Sequence, residues 1–416
     1  MIRSIVCTIV ILSGLNALSQ SRTSSPYSFF GIGQQTFRGT IENRSMGGLR
    51  THLDSIHINL RNPAGYGKLR LTTYTIGSVH TETWASTETQ KETYESTSIE
   101  YVSIGIPLGK KMGMGFGLVP FKSVGYEIGE RTEDFYTSFT GEGSINRAYF
   151  GLGYEFNNNF SLGGEIRYNF GRETNSSSVA LSNVQYGTNE VNETDFSGVS
   201  FNLGLHYQAM LNDKYEIQAS ATFVPESNIT AQGTRSNSLF ILNSDFTETP
   251  FNPRVGAVNN EQLRLPSEYT IGSTIGQPRK WSLGAEYSLQ QSSSLSSRNI
   301  IPDNTRFTDA SSYRLGGFYI PDYNSITSYW NKVVYRGGLR YEETGLNLNG
   351  SDINEFGISF GMGLPVGRSR AFSTANFGIE YGQRGTTDNN LIKEDFLSIS
   401  IGLSLNDKWF QKRKYN

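Results

Sequence analysis

A period of two is the feature that most narrows what this chain can fold into. Leu397, Ile399, Ile401, Leu403 and Leu405 alternate with Ser398, Ser400, Gly402 and Ser404. Phe356, Ile358, Phe360, Met362 and Leu364 alternate with Gly357, Ser359, Gly361 and Gly363. Phe160, Leu162, Ile166, Tyr168 and Phe170 alternate with Ser161, Gly163, Glu165, Arg167 and Asn169. Phe201, Leu203, Leu205 and Tyr207 repeat the pattern against Asn202, Gly204, His206 and Gln208. Successive side chains of a strand point to opposite faces, so each segment has one apolar and one polar face.

Alternation permits a soluble sandwich or a membrane barrel. Strand length separates them. About fourteen candidate strands can be counted, most of roughly ten residues or more, the length that crosses hydrocarbon at a tilt. Soluble strands average about five or six. Hydrophobic content is only 36% while glycine (45) and aromatics (12%) are high, which suits strands that need one apolar face each. The expected fold is all-β: a transmembrane antiparallel barrel of about fourteen strands.

The connections alternate in length. Short ones lie at Gly109 to Lys111, Asn157 to Asn159, Asn212 to Lys214, Gln277 to Lys280 and Gly367 to Arg370. The stretches 84–96, 131–143, 173–195, 228–265 and 291–309 read as long polar loops, with smaller ones at 344–353 and 384–394. Short turns belong on the periplasmic side and long loops outside. The connection near Asp322 to Asn331 is longer than its short peers. Aromatics at strand ends (Tyr154, Phe156, Phe160, Tyr215, Trp281, Trp409 and Phe410) fit interfacial girdles, although strand propensity also enriches them.

Residues 1–19 read as a signal peptide: Arg3, the apolar run Ile5 to Leu12, then Ala17-Leu18-Ser19 ahead of a cleavage near Gln20. The single cysteine, Cys7, falls inside it. The mature chain is then without disulfides or thiol chemistry. No later apolar stretch reaches membrane-helix length, so a span of the membrane must be a closed barrel, which alone satisfies strand backbone in lipid. The expected destination is the bacterial outer membrane. A net charge of −2 gives no footprint for nucleic acid.

The expected division is 20–68 as a hatch or plug, 69–410 as the barrel and 411–416 as a periplasmic tail. Fourteen strands fall between the eight that side chains can fill and the sixteen that leave an aqueous channel, so something must occupy the bore. Residues 20–68 are the candidate, with a periplasmic tail as the alternative. The inward set carries Glu165, Arg167, Glu286, Arg314, Arg336, Arg340 and Glu380. Such groups can anchor a plug by ion pairs or hold a ligand carboxylate. His52, His57, His80 and His206 show no metal-ligand spacing, and no phosphate loop or catalytic motif stands out. Neither enzyme chemistry nor a cofactor is expected.

Several segments carry a family likeness. Ser45-Met46-Gly47-Gly48-Leu49 followed by Asn62-Pro63-Ala64-Gly65 resembles the N-terminal hatch of the FadL family of outer-membrane transporters for hydrophobic compounds. Phe116 to Phe121, with Gly117 and Pro120, resembles that family's kinked third strand. Leu263 to Gly272 and Lys280 to Tyr287 resemble its mid-barrel hairpin, and the ending Asn406 to Phe410 its Bacteroidota, PorV-like branch. The resemblance implies fourteen strands, a plug inside the bore, and a lateral opening at Gly117, Pro120, Phe121 and Gly125. Proline cannot donate to a ladder, so Pro120 must break pairing locally; a simple bulge is the other reading.

Two functions follow as expectations. One is passive diffusion of hydrophobic small molecules, such as long-chain fatty acids, through the plugged lumen and lateral opening. The other is an accessory, non-conducting barrel of an outer-membrane protein secretion or assembly complex. Partners are then outer-membrane lipid with a hydrophobic ligand, or a surface or assembly protein.

Overall fold

The computed structural model describes residues 23–37, 39–243, 247–294, 304–366 and 373–409. The expected signal peptide, the tail 411–416, Phe410 and the turn at Gly367 to Arg370 lie outside these described residues.

The alternating segments form 14 strands. They are β1 (Thr72–Ser86), β2 (Lys91–Pro107), β3 (Met112–Arg131), β4 (Phe135–Glu155), β5 (Phe160–Leu181) and β6 (Gly187–Met210). Next come β7 (Glu216–Val224 and Ser227–Leu242), β8 (Glu248–Leu265 and Glu268–Gln277), β9 (Trp281–Gln290) and β10 (Thr305–Phe307 and Ala310–Tyr319). The last are β11 (Val334–Leu348), β12 (Ser351–Val366), β13 (Ser373–Arg384) and β14 (Lys393–Asp407). All pairings are antiparallel, and β14 pairs with β1 from Lys393↔Ser86 to Asp407↔Thr72, which closes the ring. The end bearing Thr72 and Asp407 is called lower below. Pro225 and Pro266 break β7 and β8 at the same level, since Val224 pairs with Glu268 and Ser227 with Leu265. Proline offers no N–H, so both ladders step there together.

Burial is inverted relative to a soluble protein. Ile399 and Ile401 are 48% and 52% exposed, while Ser398 and Ser400 are 2% and 1%. Phe360 stands outside and Ser359 is buried. A contiguous apolar exterior around a polar interior is the arrangement of a transmembrane barrel. Aromatics collect at its lower rim, with Tyr154 packed edge-on against Phe156, Tyr215 against Trp281 and Tyr74 against Trp409.

The long loops are where the expectation fails. Among the described residues, 173–195 and 228–265 are strand almost throughout, with a turn at 182–186 and the Asn243 N–H donating to the Thr247 carbonyl at 3.0 Å. Serine and asparagine pair across these ladders: the Asn189 amide donates to Ser176 and Ser178 at 2.9 and 2.8 Å. Above the lipid both faces meet water, so no apolar–polar alternation marks the strand. The wall is therefore uneven. β6 has 24 residues and β5 22, whereas β9 has 10 and β13 12. We call β4–β8 the tall wall and β9–β14 the short wall.

At two places among the described residues a strand loses its neighbour in the ring. β2 pairs with β3 only from Pro107↔Gly113 to Val102↔Leu118, and above that level the two strands part. Upper β8 (Glu248–Leu265) pairs with β7 alone, because β9 ends opposite Glu268.

Between Thr23 and Leu71 the chain runs inside the ring, buried over most of 40–69. Thr40 caps a single helical turn, α1 (Ile41–Arg44), in a capping box with Asn43. Asn62 caps a 3-10 helix (Pro63–Lys68) by accepting from the Ala64 N–H at 3.0 Å, with proline at its first position.

Candidate functional site

The bore is the site, and its geometry follows from how the inner segment meets each wall. Gly47 and Gly48 adopt φ of +65° and +83°, a turn that favours glycine. The turn lies flat on the short wall. A Cβ at Gly338 would stand 2.1 Å from the Met46 carbonyl carbon, and the Gly47 N–H donates to Ser359 at 2.8 Å. On the tall wall Asn62 donates to the Leu205 carbonyl and Asn202 to the Arg61 carbonyl. Gly163 receives Pro63, Gly153 receives Gly67, and Ala64 is fully buried beside them. Gly65 packs under Leu53. All seven expected hatch residues thus sit at contacts with the wall or within the inner segment's own packing.

Charges on the short wall grip this segment. Glu286 accepts from the Arg50 guanidinium at 2.7 and 3.1 Å and from the Arg50 N–H at 3.0 Å. Arg314 lies beside the same carboxylate and donates to Glu342 at 2.9 Å. Arg44 bridges Glu100 (2.9 Å) and Glu380 (3.3 Å). Glu380 also accepts from Arg340 at 2.7 Å, and Arg340 continues to Glu355. Glu355 and Glu394 hold Arg384, and Ser25 donates to Glu394 at 2.7 Å. Arg336 donates to Asn376 at 3.0 Å, which donates to Glu42 at 2.8 Å. On the tall wall Glu165 pairs with Arg167 and accepts from the Tyr66 hydroxyl at 3.2 Å. The seven predicted lumen residues all face inward and are nearly or fully buried.

Arg44, Arg50 and Arg61, three of the cations on the inner segment, were not anticipated; Arg61 pairs with Glu268. Their segment has no periodicity to mark which residues face the wall. Glu355 was within reach of sequence reasoning, since Phe356 faces out.

At the lower end of the segment the Asp54 carboxylate accepts from the His57 N–H at 2.8 Å and meets the His57 ring at 2.6 Å. Burial opposes charge on both. The pairing outweighs it, holding Asp54 below and His57 above their ordinary values. Burial pushes His52 down.

Pro120 stands where β3 leaves β2. Its ladder to β4 continues through a bulge at Phe121, which turns that ring inward under the Arg147 guanidinium, 3.9 Å from the ring centre. The freed edge of β3 is then taken by the inner segment. Gln34 and Gln35 pair with Ser123 and Lys122, and the Thr36 N–H donates to the Phe121 carbonyl at 3.2 Å. Ser28 exchanges hydrogen bonds with the Gly125 backbone, both at 3.0 Å. Gly117 remains in the lower, paired part, opposite Ser103. Gly113 and Gly115 do not leave empty space; they receive Tyr66. Above the inner strand, β2 and β3 flank a cavity of about 590 Å³ lined by Thr93, Tyr94 and Gly125 to Gly129.

Two chemically different spaces remain inside. Ile32 fills an apolar cluster of Phe121, Ile145, Phe196, Ile229 and Leu263. A cavity of about 320 Å³ is bordered both by charged side chains, among them Arg44, Arg314, Arg340, Glu100 and Glu355, and by apolar ones, among them Phe30, Ile32, Phe37, Phe307, Leu346 and Phe396. One apolar space is occupied by the chain itself, and the open one is mixed in character.

A family model described as BamG matches residues 1–416. No curated protein matches the chain. The fold is that of FadL-like barrels. The Ralstonia pickettii toluene transporter TbuX is 15% identical, with a TM-score of 0.60 over 89% of this chain and 99% of that one. A Pseudomonas aeruginosa FadL homologue is 11% identical, with a TM-score of 0.60 over 90% and 99%. The P. putida toluene transporter TodX is 17% identical, with a TM-score of 0.58 over 91% and 100%. These neighbours are hydrophobic-compound channels, not enzymes.

Proposed function

Because this chain belongs to the BamG family, we propose that it is a sealed, accessory barrel of an outer-membrane protein assembly complex. The family name, BamG, accords with an assembly-complex partner. The observation that carries the reading is the bore. It is filled by the chain's own segment, pinned through Glu286, Glu380 and Glu100. The residual cavity of about 320 Å³ carries charged side chains among its apolar ones, so a hydrophobic compound would meet there buried charge that lipid does not present. Residues 20–68 then act as a permanent plug, and Glu165, Arg167, Glu286, Arg314, Arg336, Arg340 and Glu380 serve as its anchors. An exported chain with this exterior resides in the outer membrane. The PorV-like, Bacteroidota resemblance of the C-terminal segment accords with this reading. Mild detergent extraction of the native membrane tests it: a stoichiometric assembly-complex partner is expected, and a lone barrel carrying a lipid-like molecule would overturn it.

One observation favours the second reading, passive passage of hydrophobic small molecules. The β2–β3 parting at Pro120, with Phe121 and Gly125 on its edge, offers a lateral route. Under that reading, deleting residues 21–66 or making Pro120→Val changes uptake of hydrophobic compounds. Unchanged uptake in both leaves the sealed barrel.

A further inference from the structure

Lower connections of such a barrel face the periplasm and are short. Residues 109–111, 157–159 and 212–214 follow that rule, whereas residues 320–333, which join β10 to β11, do not. The added length is ordered. The Asp322 N–H donates to the Asn331 carbonyl at 2.8 Å and closes the neck of the loop. Within it the Asn324 N–H donates to the Asp322 carboxylate at 3.0 Å, and the Ser328 N–H to the Ser325 hydroxyl at 3.2 Å. Neighbouring strands brace it from both sides: the Ile320 N–H donates to the Lys280 carbonyl at 2.7 Å, and the Tyr329 hydroxyl to the Pro365 carbonyl at 3.0 Å. A frame held in this way fixes its side chains, and it holds Ile326 and Trp330 out in solvent, 97% and 61% exposed.

Lipid does not account for Ile326. A residue on the barrel wall keeps one side against its strand neighbours, and Phe360, which faces hydrocarbon, is 65% exposed. Ile326 has no such backing and projects from the rim. A fluid leaflet requires no fixed prong, whereas a protein partner binds more tightly to a loop that is already ordered. Tryptophan in a rigid frame is a common anchor of protein interfaces. The surrounding charge gives the sign of the partner. The described lower connections carry Lys110, Lys111, Lys214, Arg279, Lys280 and Lys332 against Asp213 and Asp322. The Arg279 guanidinium stands 5.4 Å from the centre of the Tyr323 ring, which sets a cation beside the loop. On the upper tall wall Arg172 is matched by Asp195 and Arg235 by Glu190; the six lower cations are in no ion pair among the described residues. Residues 367–372 and 410–416, outside the described set, contain no Asp or Glu that would offset them.

We propose that the ordered loop 320–333, with the cations beside it, docks an acidic surface of a periplasmic protein, Ile326 and Trp330 entering an apolar recess in that surface. This rests on the accessory-barrel reading and names the side from which the partner binds. The test uses the full-length protein in its native membrane, with photoreactive benzoylphenylalanine in place of Ile326. Irradiation should join it to the partner that co-purifies in stoichiometric amount, at a peptide rich in Asp and Glu. The adduct should fall at least about tenfold in Arg279→Glu with Lys280→Glu, which sets like charge against that surface. Without the photoreactive group, Ile326→Asp with Trp330→Ala should retain at least about tenfold less partner through mild detergent extraction. Heat-modifiable migration verifies that each variant barrel is folded. If folded variants keep the partner in full, or the adduct forms with lipid alone or with a second copy of this chain, the docking loop is wrong and the accessory reading stands on the partner that co-purifies. If wild type carries no partner, the accessory reading fails and the docking loop with it.

Discussion

The two walls hold one inner segment by different means. The short wall uses charge: Glu286 grips Arg50, and Glu380 grips Arg44. The tall wall uses mainly shape and apolar contact, with Arg61 to Glu268 as an ion pair beside them: Gly163 and Gly153 admit the segment's backbone, and Ile32 fills the cluster with Phe121, Ile145 and Phe196. Buried ion pairs add little net stability but are costly to break from one side, because the remaining charge is stranded. Apolar contacts yield in proportion to what is removed. The charged wall should therefore behave as a latch and the apolar wall as a bearing.

The largest effect belongs to the latch. Glu286→Ala removes the buried carboxylate that faces both Arg50 and Arg314 and should loosen the segment by about 3–5 kcal/mol. Hydrogen exchange of amides 44–53 should accelerate by two orders of magnitude or more, and planar-bilayer recordings should show openings that wild type lacks. Ile32→Ala, on the bearing, should cost about 2–5 kcal/mol, toward the lower end because Ile32 also borders the open cavity. Its exchange effect should stay within residues 28–36. If both variants accelerate the whole segment equally, the two walls do not act separately.

Adjacent glycines on opposite faces of β11 sharpen the contrast. Gly338 faces Met46, and a Cβ at Gly337 would meet nothing closer than the Phe360 ring at 3.7 Å. Gly338→Val should cost about 1–3 kcal/mol by overpacking and expose the segment to protease in intact detergent-solubilised barrels. Gly337→Val should leave the cleavage rate unchanged. Equal cleavage of the two would place Met46 elsewhere.

How far the sequence foretold this division depends on which residue is asked about. Glu286, Glu380 and Arg336 were readable because strand alternation assigns a face to every residue near Ile358 or Leu283. Arg44, Arg50 and Arg61 were not, because a segment shaped by caps and turns has no period from which to infer direction. The upper strands escaped for a related reason: between Ser176 and Asn192 apolar residues such as Val179, Leu181 and Val184 are exposed among polar ones, and no sustained two-residue repeat marks one face. Pro120 was recognised as a break, but the repair by Gln34 and Gln35 joins residues far apart in sequence and had no local signal.

The Asp54–His57 pair gives a smaller effect with a defined sign. His57 is raised above 6.5 in the folded chain, so its contribution is full below that value and is lost as pH rises through the raised one. Asp54 is lowered below 3.8, so its contribution is present above 3.8 and is lost as pH falls through the lowered one. The pair is strongest between these limits. Glu42 favours the charged ring and Arg336 opposes it. Exchange of amides 50–60, corrected for intrinsic rates, should be slower at pH 5.5 than at pH 8.5, and His57→Phe should abolish the difference. A difference that survives the substitution assigns it to another group.

The smallest expected effect lies outside the bore, on the upper tall wall. Arg172 donates to Asp195 through two bonds of 2.7 and 2.9 Å, yet both side chains stand in water. Exposed pairs gain little because solvent screens them and two long side chains must be ordered to form them. Arg172→Ala should therefore leave the thermal midpoint and the exchange of the inner segment unchanged within error, although its bonds are as short as those of Arg50 to Glu286. The two substitutions share donor chemistry and bond length and differ in burial. A shift at Arg172 comparable to that of Glu286→Ala would show that bond geometry, and not the stranding of a buried charge, sets the strength of the latch.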